Sequence, residues 1–499
     1  MDAVTRLVGS VGVMAEQCTA ASPRAVVAAA APTAARIGAS MIERGGNAYD
    51  AVVAAALAET VLLPPKCGLG GDLVAIVWHR GQPAPEALLA IGGAPAGLAA
   101  VARSGGLTET GPMSVGVPAA PTGYAALADR AVFDRRTLAG PAIEAATEGF
   151  CWSTVCTLLA EQAADLVLSL RPPDARPDGL RYYPDGRPIR PGTVVALPGL
   201  ARVLDAWADL GPDLMAGDVG RAVADRVGLA GGVLTAADLT TARADWTAPV
   251  AADVAGERVW ATPAPTHGPS LLDSLARLGE VGSATPADVV RATRAAIDAR
   301  RHSLTDPSGT SIVSAVDRDG TMVVVIHSHS YPQFGSGLVV EEYDLVLANR
   351  AGRGFTAEPG HPNFPEPGRR PATTLHAWAL APSCGWRVLG GTPGGASQMP
   401  WNAQTLTQLV GRGDRLTVRD IATSVVRPRW EFRPDGGVRA EAGFEQDERA
   451  GLDVVGDVAG DVDDVERWAL RSAMQIVADT GRAYVAVADP RTVGAAVPL

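Results

Sequence analysis

The sequence predicts an α/β (α+β) protein in which strand layers are covered by helices, an αββα sandwich. Three observations carry this: helical patterning fills most of the chain before residue 300, strand patterning takes over after residue 310, and helical patterning returns near the C-terminus. In order, "GVMAEQ" reads as a strand. "PTAARIGASMIERG" reads as a helix opened by proline and ended by Gly45-Gly46, which supply positive φ. "AYDAVVAAALAETVLL" is a second helix with small residues all round, so it should pack on most faces. "GLGGDLVAIVWHRG" is a glycine turn running into a strand. Residues 115–245 are mostly helical, broken by the Pro-rich "RPPDARPDGLRYYPDGRPIRPG". Residues 255–300 give a strand ("ERVWATPAP"), a Pro/Gly loop and two helices. Beyond them "TSIVSAVD", "TMVVVIHSHS" and "ALAPSCGWRVLGG" read as strands, and "MPWNAQTLTQLV" and "DVERWALRSAMQIVAD" as helices.

Composition excludes several classes. At 499 residues, 47% hydrophobic and 19% charged, the chain has the makeup of a globular protein with a large core. A formal charge of -11 without a basic stripe argues against nucleic acid as a partner. Lys66 is the only lysine, and the excess of Arg, Ala, Gly and Val reads as a GC-rich genome. Five scattered cysteines without a CxxC spacing predict neither a disulfide framework nor a zinc site, and fit a reducing compartment. The first residues lack the pattern of a signal peptide, and "AVVAAAAPTAARIGASMI" contains Pro32 and Arg36, so a buried helix is expected there rather than a membrane span. The expectation is a cytoplasmic protein without membrane association. Seven dispersed histidines offer no metal-ligand spacing, and the glycine turns lack the strand–GxGxxG–helix context of a dinucleotide site, so no cofactor or metal is expected.

The chemistry centres on "DPSGTSIVSAVDRDGTMVVVIHSHS". Thr310 stands directly after Gly309 at the start of a strand. A threonine hydroxyl is a weak nucleophile unless a base lies within reach, and a free α-amine on the same residue is such a base. Cutting the chain before Thr310 would create one, and Gly309 tolerates the strained backbone of such a cut. A β-branched residue at a strand start is equally explained by strand propensity alone.

Further motifs decide between these. "GGNAYDAVVAAALAETV", "CGLGGDLVAIV", "MSVGVPAAPTGYAAL", "LAGPAIEAATEGFCWS", "GGVLTAADLT", "PAPTHGPSLLDSL", "FGSG" and "GTPGGASQ" occur in this order along nearly the whole chain. Together they resemble the γ-glutamyltransferase family of N-terminal-nucleophile (Ntn) hydrolases, of which this would be a divergent member. The resemblance implies a four-layer αββα sandwich made as one precursor, a zymogen that cuts itself between Gly309 and Thr310. Residues 1–309 would form a large-subunit-like segment and 310–499 a small-subunit-like one, both within one domain. Thr310 would be the nucleophile and its freed amine the base. Ser328 would support it, and the Gly394 and Gly395 N–H groups would form the oxyanion hole, such donors being worth about 3–4 kcal/mol each. Ser330 stands where the family has an asparagine, and Thr373 and Thr374 match its paired serines. His327 and His329 alternate with the serines and read as packing histidines.

The resemblance breaks at the acyl pocket. A γ-glutamyl group needs a cation for its α-carboxylate and an anion for its α-ammonium. The family's arginine is replaced by Ile91 in "IGGAP", and its acidic residue by Gly354 in "LANRAGRGF". Ordinary γ-glutamyl compounds are therefore expected to be poor substrates, with a pocket more apolar at Ile91 and wider at Gly354. Arg350 and Arg353 could offer a carboxylate positive charge in a different geometry. The family's linker of several dozen residues before the threonine is also missing, Asp306-Pro307 being followed almost at once by Gly309-Thr310. The function expected is that of a γ-glutamyltransferase-like hydrolase or acyltransferase of altered specificity, acting on a small molecule in cytoplasmic secondary-metabolite (antibiotic) biosynthesis. Three alternatives stand beside it. One is a homologue that cleaves a carbon–carbon bond, as in alkylproline pathways of antibiotics such as lincomycin. The others are a conventional γ-glutamyl hydrolase or transferase, and an unprocessed, non-catalytic homologue.

Overall fold

The computed structural model describes residues 13–171, 180–301, 310–459, 462–466 and 472–499. Two seven-stranded sheets form its centre. Sheet I runs Thr19–Ser22, Tyr484–Ala488, Gln475–Asp479, Arg387–Gly391, Ala377–Ala381, Glu257–Ala261, Val250–Val254. Sheet II runs Ala495–Pro498, Val26–Ala29, Ser311–Val316, Met322–Ser328, Asp72–Trp78, Glu86–Ala90, Asp245–Thr247. Every pairing in both sheets is antiparallel.

Strand alternation sorts the apolar residues into three layers. Between the sheets, Val74, Ile76, Ile312 and Ile326 of sheet II meet Ala379, Leu389 and Val477 of sheet I. The opposite face of sheet II (Ala75, Val313, Val325) packs on the helix Ala48–Leu62 and its neighbours. The opposite face of sheet I (Trp378, Leu380, Val388) packs on the helices Gly268–Ala276 and Gln398–Leu409. The result is the expected αββα order. Ala48–Leu62 is buried from Ala48 to Val61, as its girdle of small residues predicts, and begins with a capping box between Asn47 and Asp50.

Two elements differ from expectation. Residues 13–17 are helical rather than extended, in keeping with the helix propensity of Met, Ala, Glu and Gln. Gln475–Asp479 is a strand inside sheet I and not the end of a helix. Its Ile476 and Val477 face opposite apolar layers, and burial on two faces outweighs the helical pattern before it.

Each sheet combines strands from both sides of position 310. Ser311–Val316 lies beside Val26–Ala29, and Met322–Ser328 beside Asp72–Trp78.

Candidate active site

The site is built at one end of the cleft between the sheets. Antiparallel register pairs Ser311 with His327 and Ser328 with Asp72. Extended by one residue, it sets Thr310 opposite Ser328, and the two hydroxyls are 3.5 Å apart. Thr310, Ser328 and Asp72 thus stand in a row across three adjacent strands, on the face that also carries Ile312, Ile326 and Val74. All three are buried. Ser328 Oγ also accepts the Ser330 backbone N–H at 2.7 Å, and Ser330 has a left-handed φ of 70°. Gly309 lies outside the described residues.

Sheet I supplies the facing wall. Arg387–Gly391 ends in Thr392-Pro393-Gly394-Gly395, which turns through Gly395–Ser397 into the helix Gln398–Leu409. Gly394 has φ 143° and Gly395 φ 63°, and a Cβ on Gly394 would lie 2.2 Å from the Trp401 ring. A side chain is therefore excluded at Gly394 on two grounds.

The helix begins with a residue that sequence reasoning missed. Gln398 is fully buried, and one orientation of its carboxamide satisfies every polar atom. Oε1 then accepts the Thr310 hydroxyl at 3.0 Å and the Gly395 N–H at 3.1 Å, while Nε2 donates to Thr392 O at 3.1 Å and Thr374 O at 3.2 Å. One side chain thus joins the Thr310 strand start, the Thr373-Thr374 loop and its own glycine turn. The helix N-terminus adds partial positive charge at the same point.

On the other face of sheet II, a buried polar network lies behind the threonine strand. Glu59 accepts from Ala31 N–H (3.0 Å) and Ser311 Oγ (2.7 Å), and its Oε2 is 3.0 Å from His327 Nε2. The Tyr124 hydroxyl meets His327 Nδ1 at 2.7 Å. His327 is the packing histidine the alternation predicts, with both ring nitrogens engaged. His329 packs on the Gly68 and Gly71 backbone, and burial pushes its pKa down to about 3. Glu59, Cys67 and His327 bring their ligand atoms within 4.8 Å of one another, a cluster not visible in the sequence. The carboxyl and imidazole are already satisfied by protein hydrogen bonds, so the chemistry of the trio is that of a structural network.

The remaining residues separate. Thr374 joins the Gln398 network, whereas Thr373 Oγ1 accepts the Leu375 N–H at 3.2 Å and helps shape the loop. Ile91 packs in the layer between the sheets, with its carbonyl accepting from Arg370. Gly354 is not a widening: a Cβ there would lie 2.5 Å from Pro371 Cβ and 2.6 Å from Ala372 O. The chain has filled the space that a side chain would take. Arg353 turns to Glu109, whose side chain is exposed, and lies over the Tyr331 ring. Arg350 is buried and donates through Nε to Asp72 Oδ2 at 2.7 Å, while Asp72 Oδ1 accepts the Gly92 N–H at 2.9 Å. Burial raises the Asp72 pKa, and Arg350 and the Gly92 N–H oppose that rise.

No helix among the described residues is long and apolar enough to cross a membrane. The sequence profile of the gamma-glutamyltranspeptidase family matches residues 34–308 and 291–499. The Glutathione hydrolase proenzyme of Escherichia coli (strain K12) is 24% identical over 94% of this chain and 90% of its own length. The Oxamate amidohydrolase proenzyme of Klebsiella pneumoniae is 28% identical over 78% of this chain and 82% of its own. Among solved structures, cephalosporin acylase from Bacillus halodurans superposes with a TM-score of 0.82 at 26% identity, covering 96% of this chain and 97% of that one. With the profile spanning almost the whole sequence and the sandwich shared with an acylase, the chain belongs to the gamma-glutamyltranspeptidase family of Ntn hydrolases.

Proposed function

We propose that this protein is an acyl-transferring hydrolase of altered specificity in which Thr310, freed as a chain terminus, is the nucleophile. The observation that carries this is the sharing of one Gln398 oxygen by the Thr310 hydroxyl and the Gly395 N–H. Nucleophile and oxyanion donor therefore lie within one hydrogen-bond network, facing the same small volume.

The steps follow from that arrangement. Cleavage between Gly309 and Thr310 leaves an α-amine on the residue that bears the hydroxyl. The amine takes the hydroxyl proton as Oγ1 adds to the substrate carbonyl. The resulting oxyanion is received by the Gly394 N–H and by the Gly395 N–H, which gives up its bond to Gln398 Oε1 as the charge forms, and Ser328 steadies Oγ1. Collapse breaks the bond to the leaving group, which departs with the proton from the ammonium. Water then adds to the acyl-threonine ester and releases the acid, or an acceptor amine takes the acyl group. Thr374, and Ser330 on the adjoining strand end, supply hydroxyls toward the acyl chain. The proenzyme names of the relatives support processing into a large and a small chain. Loss of the zwitterion clamp at Ile91 and Gly354, with an Arg-rich, Lys-poor composition, supports a cytoplasmic role in secondary metabolism rather than glutathione turnover.

Electrophoresis and mass spectrometry of the purified protein test the reading. Two fragments meeting at Gly309/Thr310, and a Thr310→Ala variant that stays a single 51.2 kDa chain and forms no acyl adduct, are expected. A wild-type chain that remains whole, or a Thr310→Ala variant of undiminished activity, would refute it.

A further inference from the structure

The Arg350 side chain is 3% exposed and pairs with Asp72 through Nε alone. Its Nη1 and Nη2 are buried and have no hydrogen-bond partner among the described residues. A guanidinium is always charged and brings five N–H donors in a rigid fork. Leaving two of its nitrogens buried and bare is costly, so the fold keeps an open demand for an anion here. With Nε spent on Asp72, the free nitrogens present the end-on edge of the fork, which matches the two oxygens of one carboxylate.

The position of this demand ties it to the reaction. Asp72 is the far member of the Thr310–Ser328–Asp72 row. Two strand spacings separate its backbone from that of Thr310, about 10 Å. We propose that the end-on edge of Arg350 binds a carboxylate at the far end of the acyl substrate, making the preferred acyl group a dicarboxylic half-acid without an α-ammonium. The second half follows from the anions present. Asp72 is the acid in the row, and Gly92 N–H and Arg350 already occupy its two oxygens. An ammonium in this corner would meet the guanidinium instead of a partner. Ile91 fills the adjoining wall with hydrocarbon, and the backbone at Gly354 is closed by Pro371. The inference rests on Thr310 as the acyl acceptor, and its test separates the two.

Three activated esters decide it: p-nitrophenyl acetate, mono-p-nitrophenyl glutarate and the γ-p-nitrophenyl ester of L-glutamate. In each, Thr310 Oγ1 bonds to the ester carbonyl, the aryl C–O bond breaks, nitrophenolate leaves, and the hydroxyl proton passes to the α-amine. Nitrophenolate release and the mass of the Thr310 peptide are read together. The glutarate ester should react at least about 30-fold more efficiently (kcat/KM) than either of the others. Arg350→Gln should remove that preference by lowering kcat/KM for the glutarate ester at least about 30-fold, and Arg350→Lys should restore part of it. Since Arg350→Gln bares Asp72, the doubly neutral Asp72→Asn/Arg350→Gln variant is measured beside it. If the variants fail to fold, the three-ester comparison on the wild type decides alone. Equal labelling by all three esters, or preference for the glutamate ester, overturns the anion site and leaves the nucleophile standing. If no ester labels Thr310, the underlying reading has failed. Calorimetry with glutarate then judges the anion site separately, with binding lost in Arg350→Gln supporting it and no binding overturning it.

Discussion

The Thr310 hydroxyl and the Gln398 carboxamide oxygen are 3.0 Å apart, and the same oxygen takes the Gly395 N–H. A neutral amide in this position fixes the direction of the hydroxyl without competing for its proton. Gln398→Glu replaces the Nε2 donor to Thr392 O and Thr374 O with an acceptor and brings negative charge to where the oxyanion forms. An activity loss on the order of 100-fold or more is expected, with Gln398→Ala losing less because it removes the positioning without adding charge. Burst kinetics with an activated ester measure both, and equal losses would show that charge plays no part.

Gly394 carries φ 143° with the Trp401 ring behind it, so Gly394→Ala is a severe test of the turn. Strain and overpacking together should destabilise the protein by about 2–4 kcal/mol. Ala396→Ser, one residue beyond the pair, should stay within about 0.5 kcal/mol in urea melts.

Glu59 is the hub for Ala31 N–H, Ser311 Oγ and His327 Nε2. Glu59→Leu leaves three buried polar groups without their partner and should cost about 3–5 kcal/mol. Glu59→Gln keeps an acceptor oxygen and should cost less. Because the network lies behind the threonine strand, slower self-cleavage should accompany the loss of stability, as a time course of fragment appearance would reveal.

His376 donates from Nδ1 to Thr374 O at 2.8 Å and accepts at Nε2 from Asn402 at 2.8 Å, so the ring is neutral with its proton on Nδ1. Burial first, then the nearby His267 and Arg300, holds its pKa down at about 3 from an ordinary 6.5. Below pH 6.5 the unfolded chain takes up a proton that the folded chain refuses. The stabilising contribution is therefore complete above pH 6.5 and drains away as pH falls toward 3. Urea midpoints should drop over that window, and less steeply in His376→Gln.

Placing the family's two charges in this pocket should not confer rapid glutathione turnover. In Ile91→Arg/Gly354→Asp, the new aspartate meets Pro371 Cβ at 2.5 Å from its own Cβ. Misfolding, or glutathione hydrolysis no faster than that of the wild type, is expected, and brisk hydrolysis would show that the loop relaxes where it is now closed.

Much of the site was legible because it obeys short-range rules. Period-2 alternation put Ser328 on one face and His327 on the other, whereas Ser330 lies past the strand end in a left-handed turn that alternation does not reach, and the glycines before Gln398 marked a sharp turn. The layered fold followed from where helical and strand periods change. What stayed hidden depends on residues far apart in the chain. Gln398 reads as an ordinary helix start, and its tie to Thr310 spans 88 positions. Asp72 reads as the end of a glycine turn, yet its partner Arg350 is 278 positions away. Nothing local distinguishes Arg350, which is buried, from Arg353, which leans on surface Glu109, because tertiary packing alone assigns them. Gln475–Asp479 escaped for the same reason, since sheet neighbours and not its own residues make it a strand.

The mixing of early and late strands in both sheets has a bearing on inheritance and manufacture. Neither piece of a severed precursor owns a complete sheet, so each supplies the template on which the other closes. A single reading frame delivers them in equal numbers, already threaded, before any peptide bond is broken. Two separate messages would have to solve that weaving problem by collision, with unpaired strand edges exposed to aggregation in the meantime.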